Sequence, residues 1–264
     1  NWTERQLVVG VRALGRASGL NIVALEEATL GLESAGDQLT ARLTAPVTDF
    51  ANPQAVLPLA VEGRGQLTTW LARLRPFIGI PPLVSAEGQV ELTAVGEIHL
   101  PEEITIAQSK LNAQPFRVAM PGFAIDEPSA ELTLVGRYHP LRTDIAEATL
   151  NSVGTQAALR NFAYVPGTGQ TPELHGELGL RGDLAKLFVP SAPLAGAAQP
   201  MRFGGLIEAT SKLERTGAVT AVALDAIVKN LTVQQGAAQL WNEPQVRLVG
   251  SGVYEPRRDA LAID

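Results

Sequence analysis

The residue types that most often do chemistry are sparse in this chain, and their spacing limits what they can do. The three histidines, His99, His139 and His175, stand 40 and 36 residues apart. Metal centres draw their ligands at short, recurrent spacings, and these positions offer none. Adjacent carboxylates occur at Glu26-Glu27 and Glu102-Glu103. Neighbours on an extended chain point to opposite faces, so neither pair converges on one proton or one metal. The stretch "GRGQLT" at residues 63–68 sits where a phosphate loop could sit. It lacks the third glycine of the dinucleotide fingerprint and the Gly-Lys-Ser/Thr of a P-loop, so it reads as a strand-to-helix turn. No Gly-x-Ser-x-Gly elbow occurs. With no cysteine in the chain, disulfides and thiolate nucleophiles are excluded. The expectation is a protein that is not an enzyme, with no metal and no cofactor.

Bulk composition narrows the class further. Apolar residues make up 45% of the 264 and charged residues 18%, which excludes a disordered chain and permits a sizeable core. The net charge is −6, and no Lys/Arg cluster forms a basic face, so no nucleic-acid partner is expected. No segment approaches the roughly 18 apolar residues that span a bilayer. The chain opens at Asn1 with no signal peptide. It is therefore expected to be a processed product or a piece of something longer.

The elements that must position any site are written more than once. Residues 125–142 read "IDEPSAELTLVGRYHPLR" and residues 241–258 read "WNEPQVRLVGSGVYEPRR". Each carries Glu-Pro, an alternating run, Val-Gly, a Tyr and a Pro two residues after it. Likewise "EGRGQLTTWLARLRPFIG" at 62–79 is matched by "GLRGDLAKLFVPSAPLAG" at 179–196, and "GQVELTA" from Gly88 by "GLIEATS" from Gly205. The order is kept at an offset of 116 or 117. A third echo joins "EATLGLESAGDQLTARLTAP" from Glu27 to "EATLNSVGTQAALRNFAYVP" from Glu147. Self-similarity at a fixed period is the signature of repeat architecture. The reading is that 1–55 is the tail of a preceding β repeat, 56–172 a complete repeat, and 173–264 a second, truncated one.

Within a repeat the dominant period is two, as in a half-buried strand. In "GQVELTAVGEIHL" the residues Val90, Leu92, Ala94, Ile98 and Leu100 share one face, and Gln89, Glu91, Thr93, Glu97 and His99 the other. The same alternation places Leu132, Leu134 and Tyr138 together, then Val246, Leu248 and Tyr254, with Ile207 and Leu213 between. Strands are expected near 57–66, 84–100, 103–112, 115–120, 127–139, 143–150 and 154–165. One short helix follows the first strand of each copy. Pro76 is expected to end the first, and Asp183 and Pro190 to cap and end the second. Short turns imply antiparallel pairing. Some 14 strands must then curl into a long trough or close as separate sandwiches.

Long alternating strands with one helix-bearing crossover per repeat, and phrases such as "VEGRGQLTTWLARLRPFIG", "SAEGQVELTA" and "ELGLRGDLAKLF", resemble the AsmA/TamB-like proteins of the repeating β-groove lipid-transfer superfamily. The resemblance implies a mostly β fold of long antiparallel strands curling into a taco-like groove, apolar within. It implies lipid acyl chains as the cargo, membrane partners at the ends, and a periplasmic location anchored to the inner membrane. The groove-lining candidates are then Val90, Leu92, Ile98, Leu100, Leu132, Leu134, Tyr138, Ile207, Leu213, Val246, Leu248 and Tyr254. The alternative is a structural or adhesive array of β-sandwich repeats with closed cores.

Overall fold

The computed structural model describes residues 7–19, 21–78, 82–120, 123–167, 172–187, 201–217, 219–255 and 260–263. They form β1 (Val8–Ser18), β2 (Asn21–Ser34), β3 (Asp37–Leu43), β4 (Val56–Gln66), α1 (Leu67–Ile78), β5 (Ser85–His99), β6 (Glu103–Met120), β7 (Phe123–Glu127), β8 (Ala130–His139), β9 (Arg142–Ser152) and β10 (Thr155–Val165). Then follow β11 (Glu173–Asp183), α2 (Leu184–Leu187), β12 (Met201–Thr216), β13 (Val219–Gln235), β14 (Ala238–Glu255) and β15 (Ala260–Ile263). All strands belong to one antiparallel sheet, in chain order from β1 to β15, with β7 beside β6 off the main path. The sheet is open and does not close into a barrel.

Period two in the sequence becomes period two in burial. In β5, Ala86, Gly88 and Val90 are buried and Leu92, Ala94, Gly96 and Ile98 half-buried, while Glu87, Gln89, Glu91, Thr93, Val95 and Glu97 are exposed. Unpaired sandwich modules would break the sheet between residues 165 and 173. Instead β10 pairs with β11 throughout, from Thr155↔Gly182 to Val165↔Glu173. Part of the turn that joins them, "PGTGQTP", lies outside the described residues.

Several boundaries differ from the sequence expectation. The runs 103–112 and 115–120 are one strand, β6. Residues 123–127 form β7, which the sequence reading missed, because the alternation runs on across Glu127-Pro128. The chain leaves the ladder there. Ala113 pairs with Ala130 and Phe116 with Glu127, so Pro115 and Pro128 fall in the gap between the two ladders. Proline offers no ladder N–H, which accounts for the break. Pro76 lies within the last turn of α1, which runs two residues past it to Ile78. Asp183 does cap α2, where its Oδ1 accepts the Ala185 N–H at 2.9 Å. Pro190 lies outside the described residues.

The two stretches that look alike in sequence also pair alike. Gln66 faces Gln89 across β4 and β5, and 117 residues on Asp183 faces Leu206 across β11 and β12. Gly88 (φ 141°) and Gly205 (φ 125°) carry positive φ beside register shifts at the same step. That conformation is strained for any L side chain and free for glycine.

The exposed face is held by cross-strand ion pairs, among them Lys110–Glu131 (2.6 Å), Arg160–Glu147 (3.0 Å), Lys212–Glu177 (3.1 Å) and Arg247–Asp225 (2.7 Å). Each stands in water, where solvent and salt screen the attraction to a minor contribution. Hydrogen bonds from Arg247 hold the Asp225 carboxyl below its ordinary range, against the opposing effect of desolvation. A lowered folded pKa means the contribution is complete above about pH 4, the unfolded value, and is lost as pH falls through the folded one. An NMR titration of the Asp225 carboxyl carbon is expected to give a midpoint below that of a free aspartate. Arg247→Gln is expected to return it.

Candidate functional site

The register of the sheet carries a row of residues across thirteen strands. From β1 to β14, bypassing β7, it reads Val9, Leu32, Leu39, Gly63, Leu92, Leu111, Leu132, Leu150, Ala157, Leu180, Ala209, Ala226 and Leu248. Every position is Val, Leu, Ala or Gly. The row one residue away, on the opposite face, runs through Val8, Glu33, Gln38, Arg64, Glu91, Asn112, Glu131, Asn151, Gln156, Arg181, Glu208, Ile227 and Arg247, polar or charged at every strand but β1 and β13. Alternation within each strand and unslipped pairing between strands together produce this division.

The apolar face is covered at its margins. At one end of the strands, Val90, Ala113, Phe116, Ile125 and Ala130 are buried together with Leu187 of α2, and Leu67 and Trp70 of α1 pack against them. At the other end, near β2 and β4, Val47 and Ala55 close over Leu25, with Phe50, Leu57 and Leu100 alongside. Between these margins apolar side chains stay in contact with water. Leu178 is 50% exposed and Leu248 56%. Contiguous exposed apolar surface on this scale marks an interaction site more often than chance.

Glycines shape the seat of α1. A Cβ on Gly63 would lie 2.8 Å from the Trp70 ring, and one on Gly65 would overlap the Asp37 carboxylate and the Trp70 indole. The "GRG" stretch is therefore the floor beneath a tryptophan, with Arg64 turned to the other face, where it donates to Gln38 at 3.0 Å. Beside it lies an apolar cavity of about 350 Å³, lined by Leu7, Leu32, Leu39, Trp70 and Leu92. Its polar corner is Asp37, 4% exposed. Asp37 accepts the Gln66 N–H at 2.8 Å and a hydrogen bond from Arg73 Nη1 at 2.6 Å. A second buried carboxylate, Glu127, lies 3.5 Å from Lys186 Nζ of α2. It ties that helix to the strand before β8.

The candidates from the sequence divide into three groups. Leu92, Leu134, Ile207 and Val246 are half-buried on the apolar face, as are Ile98 and Leu213, and Leu132, Tyr138 and Leu248 are exposed on it. Val90 (1% exposed) belongs to the sealed margin, and Leu100 sits just past the end of β5 in the other margin. Tyr254 pairs with Thr220 through its backbone, and its side chain lies outside the described residues. Sequence reasoning omitted Leu178, Leu180, Leu111 and Leu150, which the register brings into the same surface. The alternation of each strand was legible, but pairing was needed to join them.

On the face opposite the apolar row a polar depression of about 540 Å³ is lined by Arg64, Gln66, Gln89, Glu91, Asn112 and Gln114. His99 sits 3.1 Å from Glu97, and His139 Nδ1 accepts the Leu141 N–H. Among the described residues no group of three or more His, Asp or Glu could hold a metal ion, and no helix is long and apolar enough to cross a membrane. A depression of about 540 Å³ on the charged face is bordered by Arg160, Glu177, Lys212 and Asp225. Those four charges are already paired. No protein-family model, curated protein or solved structure matches the chain.

Asp37→Ala removes the acceptor of both bonds and leaves the part-buried Arg73 guanidinium without its carboxylate. It is expected to destabilise the fold by about 3 kcal/mol, read as a lowered midpoint in urea unfolding. Exposed Glu91→Ala, on the other face, is expected to stay within about 0.5 kcal/mol.

Proposed function

We propose that this chain is a non-enzymatic lipid-binding segment that carries acyl chains along the apolar face of its sheet, as the resemblance to AsmA/TamB-like proteins implies. The observation that supports this best is the unbroken apolar row from Val9 to Leu248, flanked on the opposite face by a mostly polar one. Fourteen strands about 4.8 Å apart make a path of about 60 Å, enough to matter for a molecule that must cross an aqueous gap. The matched registers at a step of 117 residues favour a repeated unit built along that path.

The mechanism is passive. Acyl chains lie against leucine and alanine, displacing water at about 25 cal/mol per Å² buried, while headgroups remain hydrated at the margins. Because neighbouring strands offer nearly the same surface, a chain moves from one to the next without crossing a polar barrier. No group need form a bond. In this reading α1, α2 and the segment through Val47 act as rims, and the cavity beside Trp70 is a place where a chain end can rest. The full protein would be periplasmic and tied to the inner membrane by parts not represented in this chain.

The competing reading, a row of β-sandwiches with closed cores, finds less support. All fifteen strands belong to a single sheet, and no second sheet among the described residues closes over the apolar row.

Leu178→Asp tests the reading. In a sealed core an unpaired charge would cost several kcal/mol, close to a domain's whole stability. On an open face the carboxylate meets water, so the melting temperature is expected to fall by only a few degrees. Uptake of a fluorescent fatty acid from vesicles is expected to drop, because a hydrated charge now interrupts the path. The control, Glu91→Lys, is expected to change neither. Global unfolding of Leu178→Asp, with no uptake by the parent, would retire the transport reading.

A further inference from the structure

The face away from the apolar row carries an unassigned polar site. Two rows cross β4, β5 and β6 there, Arg64–Glu91–Asn112 and Gln66–Gln89–Gln114. Between the rows Val90 and Ala113 are buried and Gly65 faces the Trp70 ring, so the six polar side chains share the other face. They line the polar depression of about 540 Å³, and the Ala35-Gly36 turn borders it on one side. That volume falls within the range of about 300–1,000 Å³ typical of small-molecule sites. Arg64 is engaged with Gln38. Among the described residues, neither the four amide groups nor the Glu91 carboxylate has a hydrogen-bond or ion-pair partner.

The second copy builds the same place on the same pairing with different groups. Its rows are Arg181–Glu208–Ile227 and Asp183–Leu206–Lys229. Glu208 lies 3.5 Å from Arg181 and 3.6 Å from Lys229, so its charge is taken up, and Asp183 caps α2. Leu206 and Ile227 stand where the first copy has Gln89 and Asn112. The sheet therefore does not need amides at these positions in order to form.

We propose that the depression in the first copy binds a neutral oligosaccharide. Its walls disfavour the other ligand classes. Arg64 and Glu91 are opposite in sign and directly paired across β4 and β5, so neither an anion nor a cation meets a net charge there. No large apolar side chain opens into the depression, so it offers nothing to an acyl chain or to the apolar side chains of a peptide. What it offers is four amides, each with two N–H donors and a carbonyl acceptor. A sugar hydroxyl also donates and accepts, so hydroxyls on successive rings find partners in both rows. Strands about 4.8 Å apart spread those partners along a chain of rings rather than around one. There is no aromatic platform for stacking, and each hydrogen bond made in exchange for water adds little by itself. Binding is therefore expected to be weak and to need several amides at once. The site lies on the face opposite the acyl path and does not depend on it.

An NMR titration of the chain with maltotetraose, cellotetraose and chitotetraose, each carried to high millimolar concentration, reads the outcome. At least one of the three is expected to move the side-chain NH₂ signals of Gln66, Gln89, Asn112 and Gln114 together and saturably, while the Leu178 and Leu248 methyl signals stay in place. Gln89→Leu with Asn112→Ile installs the second copy's side chains on the same strands. An unchanged backbone spectrum is expected to show that this variant folds, and its binding is expected to weaken about tenfold. Inorganic phosphate is expected to leave the amide signals unmoved. Amide signals that none of the three sugars moves would overturn the proposal. So would shifts of equal size at Gln66 and Gln114 in the double variant, or phosphate moving these signals more than any sugar does.

Discussion

The structure depends on cross-strand register. A strand with alternating residues has one apolar side, but that side is useful only if the next strand offers its own at the same height. Here the match holds from β1 to β14, through register shifts at Glu87/Gln89, Val95/Gly96 and Val135/Gly136. Bulges commonly scramble facing. In this sheet they lie within continuous ladders, away from the step where Leu92, Leu111, Leu132 and Leu150 pair, and the apolar row passes between them.

That constraint also sets how the fold is stabilised. A single sheet cannot bury its apolar face against a second one, so cover comes from small pieces. Four residues of α2 place Leu187 among Val90, Ala113, Phe116, Ile125 and Ala130, which belong to strands before it in the chain. Leu184 of the same helix packs against Val228, Leu231 and Val233, which come after it. One short helix thus serves both halves of the sheet. Glu127 and Lys186 hold it in place, and the Asp37–Arg73 pair does the same for α1. Fully covering the face would leave a stable protein with nothing to offer a ligand.

Much of this was legible in the sequence, for a reason tied to particular residues. Leu92, Leu132 and Leu248 sit in alternating runs long enough to fix their facing, and Gly88 and Gly205, 117 residues apart, both fall beside a register shift. Glu-Pro opens each copy of the repeated phrase, at Glu127-Pro128 and Glu243-Pro244, and reads as the start of a strand. In the first copy it is where the ladder breaks and a carboxylate turns inward to a distant lysine, Lys186. In the second, Glu243 and Pro244 remain inside the continuous β14. Identical letters gave different local outcomes because the residue opposite differs. Phe116, next to Pro115, stands across from Glu127, and Leu231, next to Asn230 in its left-handed conformation, across from Glu243. Long-range partners of that kind leave no mark on local pattern. The same is true of Trp70, which reads as one apolar residue on a helix face and is in fact the side chain that the two glycines of β4 make room for.

The central claim is that the apolar row binds acyl chains along its open stretch. Native mass spectrometry of the chain purified without detergent addresses it most directly. The account predicts satellite peaks heavier than the bare chain, whose released mass is that of intact lipid and which disappear when Leu178 and Leu248 are both replaced by Asp in a protein that still folds. A bare mass alone, from protein that also takes up no lipid after exposure to vesicles, would contradict it.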